Sequence, residues 1–396
     1  MAQTIPLPQS FGAATNARAI SDARRIPWYI WSCLIAIASG TIGGAWDISW
    51  HESVGRDSFW TAPHMFIYFS GILSGLSCAY LILSITFNQN SPLRDSSVTM
   101  WGFRGPLGAF ICAWGAAAMI TSAPFDNWWH NAYGLDVKIL SPPHALLALG
   151  MLGIRFGAVV LALAEMNRAT GEYRGRMERM FLFLFVFLIA TCLGMAQEYT
   201  IRVFMHGARF YLAVMIVAPI WIAAISVASK WRWAATYMTA AYFLLHVSFT
   251  WILPLVPAQP KLGPVYQNIT HLVPPDFPLL IIVGAIVFDA IRYYLREWNR
   301  WAQAAILGVA FFASFVAVQW PFADFLMSAA SRNRFFATQN FPYFIPSTSF
   351  WVRNLFFSTD NSARHFWVMM AMALAVAVLM TRTGLAFGEW MRRIRR

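Results

Sequence analysis

Residues 143–165 read PHALLALGMLGIRFGAVVLALAE, a run broken only by Arg155 and opened by a Pro-His pair. A bilayer core needs about 20 predominantly apolar residues to be crossed as a helix, and this run supplies them. Nine more apolar segments of comparable length flank it, near 27–45, 63–87, 105–125, 179–198, 208–229, 233–255, 274–294, 301–320 and 365–387. The chain is 59% hydrophobic and only 12% charged, against about 25% charged in soluble domains. The expectation is an all-α fold, a polytopic integral membrane helix bundle of about ten transmembrane helices. No soluble domain can be carved out. The segment at 27–45 reads as a retained helix, not a signal peptide, because no small-residue cleavage site follows it.

The basic balance, formally +12, points to topology before nucleic acid. Of the 29 Lys and Arg, 19 fall on the side of the N-terminus when segments alternate, nine fall on the other side, and Arg155 lies within a segment. That bias predicts cytoplasmic termini and a multi-pass protein of the cytoplasmic (inner) membrane. The 19 Trp suit interfacial anchoring better than base stacking. All eight His map to the non-cytoplasmic half. Cys33, Cys78, Cys112 and Cys192 fall within apolar segments without a C-x-x-C pair. They read as buried small residues, with neither a disulfide nor a thiolate metal site expected.

A repeat organises the first four segments. Asp47, Trp50, His51, Gly55, Asp57, Pro63 and His64 recur as Asp126, Trp129, His130, Gly134, Asp136, Pro143 and His144. The pattern D-x2-W-H-x3-G-x-D spans the end of one helix, and the Pro-His pair opens the next. Asp and His four apart share a helical face. Proline suits the first turn. The positive end of the helix dipole favours neutral, metal-binding imidazole over imidazolium. The chain therefore divides into an N-terminal segment (1–26), a tandem hairpin repeat of helices 1–4 (27–170), and helices 5–10 with an outer loop at 321–364 (171–396). Val273-Pro274-Pro275-Asp276 faintly echoes the repeat and reads as a proline-started helix, not a third site.

A carboxylate beside two imidazoles in apolar surroundings is expensive unless paired or metal-bound. For one copy, an interfacial polar network is the simpler reading, with Asp47 pairing His51 or Arg56. Two copies with matching Trp, Gly, Asp and Pro shift the balance to metal. Imidazole with carboxylate suits copper, zinc or non-haem iron. An outward-facing location favours copper.

Asp47-Ile48-Ser49-Trp50-His51, then Arg56-Asp57, Phe59 and Thr61-Ala62-Pro63-His64, resembles the copper-binding segment in a membrane-embedded component of the particulate methane and ammonia monooxygenases. There the segment reads D-x-S-W-H, R-D and F-T-P-S-H, with Asp, His and His as ligands. That family's neighbouring site uses Asn, a His four later and a His fourteen after that. Asp126, His130 and His144 hold those positions here. The resemblance covers roughly residues 40–160. It implies two copper sites, at Asp47, His51 and His64 and at Asp126, His130 and His144, and an oxidoreductase of the monooxygenase class. Three departures stand beside it: Asp126 replaces the family's Asn, helices 5–10 have no counterpart, and the cupredoxin-like domain of that family's companion component is absent.

The expected function is copper-dependent hydroxylation of a small apolar or weakly polar substrate with O2. Asp126, His130 and His144 form the expected catalytic centre. Arg56, Asp57 and Glu198 are expected around the ligands. Glu198 also stands near Arg202 and His206, where an interfacial salt-bridge cluster is the plainer reading. The expected partners are the lipid bilayer and an external electron donor such as a quinol. Companion subunits or a homo-oligomer stay open, and nucleic acid is not expected. The alternative is a membrane protein that transports or senses copper or zinc. It would place ligands at successive depths.

Overall fold

The computed structural model describes residues 25–134, 141–349 and 360–396. Most of the N-terminal segment, the repeated Asp136 and residues 350–359 of the expected outer loop lie outside them. Ten helices of more than one turn are present among the described residues: α1 (Trp28–Ser53), α2 (Ala62–Phe87), α3 (Leu107–Tyr133), α4 (Pro142–Arg168), α5 (Gly171–Met195), α6 (Ala208–Ala228), α7 (Ala234–Ile252), α8 (Ile281–Tyr294), α9 (Arg300–Met327) and α10 (Ala363–Met391). Nine of these, all but α8, are long and apolar enough to cross a membrane. Large apolar side chains such as Leu76, Leu149 and Leu244 are exposed on the outside of the bundle, which suits lipid and not water. The chain is an all-α, multi-pass membrane helix bundle. The only strands among the described residues are a three-residue hairpin, β1 (Val98–Met100) with β2 (Phe103–Gly105), between α2 and α3.

Helix boundaries follow local chemistry. α1 and α3 run past the end of their apolar stretches, so Asp47, His51, Asp126 and His130 sit on their final turns. α8 starts at Ile281, not at Pro274. Pro278 disfavours the α conformation at Phe277, so residues 274–280 stay outside the helix, and Gln319 Oε1 accepts from Leu280 N at 3.0 Å. The expected outer loop begins later than 321. α9 continues through Pro321 to Met327, because Phe322 and Phe325 pack on Phe336.

Glycine lets the second hairpin close. A Cβ on Gly115 would lie 2.6 Å from Ile154 N, and one on Gly157 would lie 2.7 Å from Gly108 O. α3 and α4 thus touch through backbone, the close approach that small residues permit between helices in membranes.

Polar contacts tie one end of the bundle. Glu165, near the end of α4, accepts from Tyr29 Oη at the start of α1 (3.0 Å) and from Arg168 (2.7 Å). Asn167 Nδ2 donates to the carbonyls of Met391 and Ile394, 2.8 Å each. The start of α1 and the ends of α4 and α10 therefore share one end, and the repeat's histidines lie at the other. Arg155 is buried and bonds Met151 O (3.0 Å) and Thr41 Oγ1 (3.0 Å). Asp289 is held by Thr236 N (2.8 Å) and Oγ1 (2.9 Å).

Candidate metal centres

Each copy of the repeat builds the same local frame. The helix carries Asp and His on one face of its last turns, and glycine follows the His by four. Gly55 (φ +89°) and Gly134 (φ +96°) take the left-handed region, which glycine enters without steric cost. Each turns its carbonyl back to its histidine: His51 Nδ1 meets Gly55 O at 3.1 Å, and His130 Nδ1 meets Gly134 O at 3.2 Å. His64 and His144 then sit in the first turns of α2 and α4, behind Pro63 and Pro143. Ser141 Oγ accepts from His144 N at 3.4 Å. His64 Nδ1 meets Ser58 O at 2.9 Å.

These contacts assign the ring protons. A backbone carbonyl only accepts, so Nδ1 of His51, His64 and His130 carries a hydrogen. In the neutral ring Nε2 is then a lone pair. Every one of those Nε2 atoms faces carboxylate. His64 Nε2 is 3.2 Å from Asp47 Oδ1 and 3.0 Å from Asp57 Oδ2. His51 Nε2 is 3.4 Å from Asp57 Oδ2 and 4.0 Å from Asp47 Oδ2. In the second copy, Asp126 Oδ2 is 3.5 Å from His130 Nε2, and Asp126 Oδ1 is 3.3 Å from His144 Nε2. Lone pairs converging on carboxylate oxygens repel unless a proton or a cation lies between them. Asp47 Oδ1 and Asp126 Oδ1 are moreover buried, and each faces one of these imidazole nitrogens.

The spacing suits an ion. Two ligand atoms each about 2.0–2.1 Å from a metal lie roughly 2.9–3.4 Å apart at angles of about 90–109°. The ligand atoms of Asp126, His130 and His144 lie within 4.8 Å of one another, as do those of Asp47, Asp57 and His64. The donor set, carboxylate and imidazole, fits copper, zinc or iron.

The structure thus brings together Asp126, His130 and His144 as expected, but in the first group it places Asp57, expected only beside the ligands, with Asp47 and His64. His51, expected as a ligand there, lies outside that tight group, 3.4 Å from Asp57 Oδ2 and 4.0 Å from Asp47 Oδ2. Burial would push the Asp57 carboxyl up, but hydrogen bonds and positive charge from His51 and His64 outweigh that and hold it well below the usual carboxylate range, so a proton on these imidazoles is the alternative to an ion between the groups. Arg56 is exposed and supplies its backbone carbonyl, which accepts from Trp50 Nε1 at 3.1 Å. Glu198 sits on a one-turn helix, Gln197–Thr200. The salt-bridge cluster expected around it takes other partners: Arg202 pairs with Asp276 (3.5 Å) and His206 with Asp324 (2.9 Å).

Tyr68, Ser49 and Ser53 complete the surroundings. Tyr68, one turn beyond His64, packs its ring 5.9 Å from that imidazole, and the carboxylates of Asp126, Asp47 and Asp57 all act on its hydroxyl. Its i+4 spacing from His64 was the available signal. Ser49 and Ser53 of α1 grip Val273, Ser49 Oγ donating to its carbonyl at 2.6 Å and Ser53 Oγ accepting from its amide at 2.7 Å. The C-terminal half thereby buttresses the first centre.

A third group was not anticipated. Cys33, Cys78 and Cys112 come from α1, α2 and α3, and all are buried with sulfurs within 4.8 Å of one another. No protein-family model, no curated protein and no solved structure matches the chain.

Proposed function

We propose that the protein is a membrane-bound copper-dependent monooxygenase, with one copper held by Asp47, Asp57 and His64 beside His51, and a second by Asp126, His130 and His144. The observation that supports this reading is the convergence of imidazole nitrogens on buried carboxylate oxygens, built alike at the ends of α1 and α3. The resemblance of the first motif to the copper segment of methane and ammonia monooxygenases selects copper and oxygen chemistry. Copper with open coordination positions supplies O2 activation.

The reaction class is R–H + O2 + two electrons + two protons giving R–OH + H2O, with an external quinol as the electron and proton source. The chain's own groups then have plain roles. Asp126 fixes two imidazoles and adds a negative charge that stabilises the cupric state. Tyr68 presents a hydroxyl in the field of both centres. The apolar bundle concentrates a small, poorly soluble substrate. The charge bias puts the centres on the non-cytoplasmic side of the inner membrane. Companion subunits or a second copy could share the outer lipid-facing surface.

The test is metal analysis with paramagnetic resonance on purified protein, followed by quinol-dependent O2 uptake with small apolar substrates. Copper bound through nitrogen and substrate-dependent O2 uptake support the reading. Zinc or iron retained at full occupancy, with no copper after copper loading, overturns it. Bound copper that supports no turnover and exchanges across vesicle membranes returns the transport reading.

A further inference from the structure

We infer that Cys33, Cys78 and Cys112 form a second kind of metal site, a three-sulfur site for a soft monovalent ion, Cu(I), deep in the core of α1, α2 and α3. The site is separate from the His/Asp centres and does not depend on their function.

Placement comes first. Cys33 and Asp47 on α1, Cys78 and His64 on α2, and Cys112 and Asp126 on α3 are each fourteen residues apart. Fourteen residues of helix rise about 21 Å and return to nearly the same face. The thiols therefore form a layer beneath the two centres, on the faces that carry the ligands. In a hydrocarbon core about 30 Å thick, that layer lies toward the opposite end. Cys33, Cys78 and Cys112 are each 0% exposed.

Spacing comes second. Cys33 Sγ lies 3.9 Å from Cys78 Sγ. A metal–sulfur bond of about 2.3 Å sets the sulfurs of a trigonal site about 4.0 Å apart. A disulfide needs about 2.05 Å. The trio is thus spaced for a shared ion and not for a bond.

Donor chemistry selects the ion. Thiolate selects Cu(I), zinc or iron–sulfur clusters. Structural zinc takes four ligands, and here the surrounding backbone is committed to helix hydrogen bonds. Cys112 Sγ donates to Ile154 O at 3.3 Å, and Ser32 Oγ meets Ser77 Oγ at 2.5 Å. Neither contact offers a fourth ligand. Three sulfurs alone match three-coordinate Cu(I). The charge also balances in an apolar layer, because one bound Cu(I) displacing one thiol proton leaves the site neutral, and no electron is transferred. Packing of small apolar residues explains a single buried cysteine. It does not explain why three of the chain's four cysteines, from three helices, meet at one point. The bound ion would cross-link α1, α2 and α3.

The test uses purified full-length protein in detergent, kept reduced and anaerobic, and titrated with Cu(I) buffered by a competing chelator. X-ray absorption should show sulfur at about 2.3 Å. The triple variant Cys33→Ser, Cys78→Ser, Cys112→Ser should bind one Cu(I) fewer and lose the sulfur signal, while Cys192→Ser keeps both. Loading should raise the unfolding temperature of the wild type by more than that of the triple variant. Where the triple variant fails to fold, the wild-type spectrum decides alone. A copper spectrum without sulfur neighbours overturns the inference, as does unchanged Cu(I) stoichiometry in a folded triple variant. His64→Ala and His144→Ala should leave the sulfur signal intact, so failure of the His/Asp centres and failure of the thiol site are read separately.

Discussion

Asp57 shows how one residue's rank depends on the loop that carries it. It lies 3.0 Å from His64 Nε2, closer than Asp47 does, because residues 54–61 fold back over the helix end. Asp57→Asn is therefore expected to weaken first-centre copper by at least the ~10–100-fold typical of groups around a metal. His51→Ala, at the rim, should cost less. Copper competition titrations on the two variants check the order, and a larger loss in His51→Ala would refute it. Asp126→Asn bears on the second centre. Replacing a carboxylate by a neutral amide should keep the metal and raise its reduction potential, which a redox titration reads. An unchanged potential with copper still bound would mean that Asp126 is not a ligand. The convergence of Asp47 with His64, and of Asp126 with His130 and His144, was legible because residue type and spacing recur. The reach of Asp57 was not, because loop conformation decides it, although its own recurrence as Asp136 was a clue. The thiol trio was illegible for a similar reason. Helical period gives a face, but the register between three helices decides whether three faces meet.

Helix ends and helix contacts carry the next level of specificity. Gly55 and Gly134 do the same turning, yet their surroundings differ. A Cβ on Gly55 would lie 1.9 Å from Tyr343 Oη, whereas one on Gly134 meets nothing within 4 Å among the described residues. Gly134→Ala should cost the backbone term of a region that essentially only glycine enters (φ 96°, ψ 176°), about 1–3 kcal/mol. Gly55→Ala should cost more and also disturb the first centre. The same logic separates helix interiors. Gly115→Ala drives a methyl into the α4 backbone at 2.6 Å and should unfold the second hairpin, while Gly175 in α5 has open space. Gly175→Ala should be stabilising by roughly 0.5–1 kcal/mol. Thermal unfolding of the four variants in one detergent tests all of this, and a Gly115→Ala protein as stable as the wild type would contradict the α3–α4 packing. The apolar runs located the helices because burial in lipid leaves few choices. They misplaced the start of α8, where Pro278 outweighed apolar character, and the end of α9, where aromatic packing extended a helix beyond its apolar stretch.

At the scale of the whole molecule, the question is how many times the chain crosses. Nine described helices are long enough, and an odd number would put the termini on opposite sides. α8 has 14 residues, or about 21 Å of helix, short of a core about 30 Å thick. Residues 274–280 precede it without regular structure, with Phe277 and Leu279 buried in protein, the condition under which non-helical backbone is tolerated at membrane depth. A tenth crossing, the number expected from the sequence, needs that segment together with α8. The polar ties agree: Tyr29 to Glu165 and Asn167 to Met391 and Ile394 gather the start of α1 and the end of α10 at one end of the bundle. Arg392, Arg393, Arg395 and Arg396 crowd that end, the end that the positive-inside bias predicts to be cytoplasmic. A cysteine introduced by Arg395→Cys should accordingly be labelled by an impermeant reagent only from the cytoplasmic side. One introduced by Trp60→Cys, at an exposed position beside the first centre, should be labelled only from the opposite side. Labelling of both from one side would reduce the crossings to nine and turn the short α8 into a re-entrant hairpin. It would also remove the argument that both metal centres face away from the cytosol.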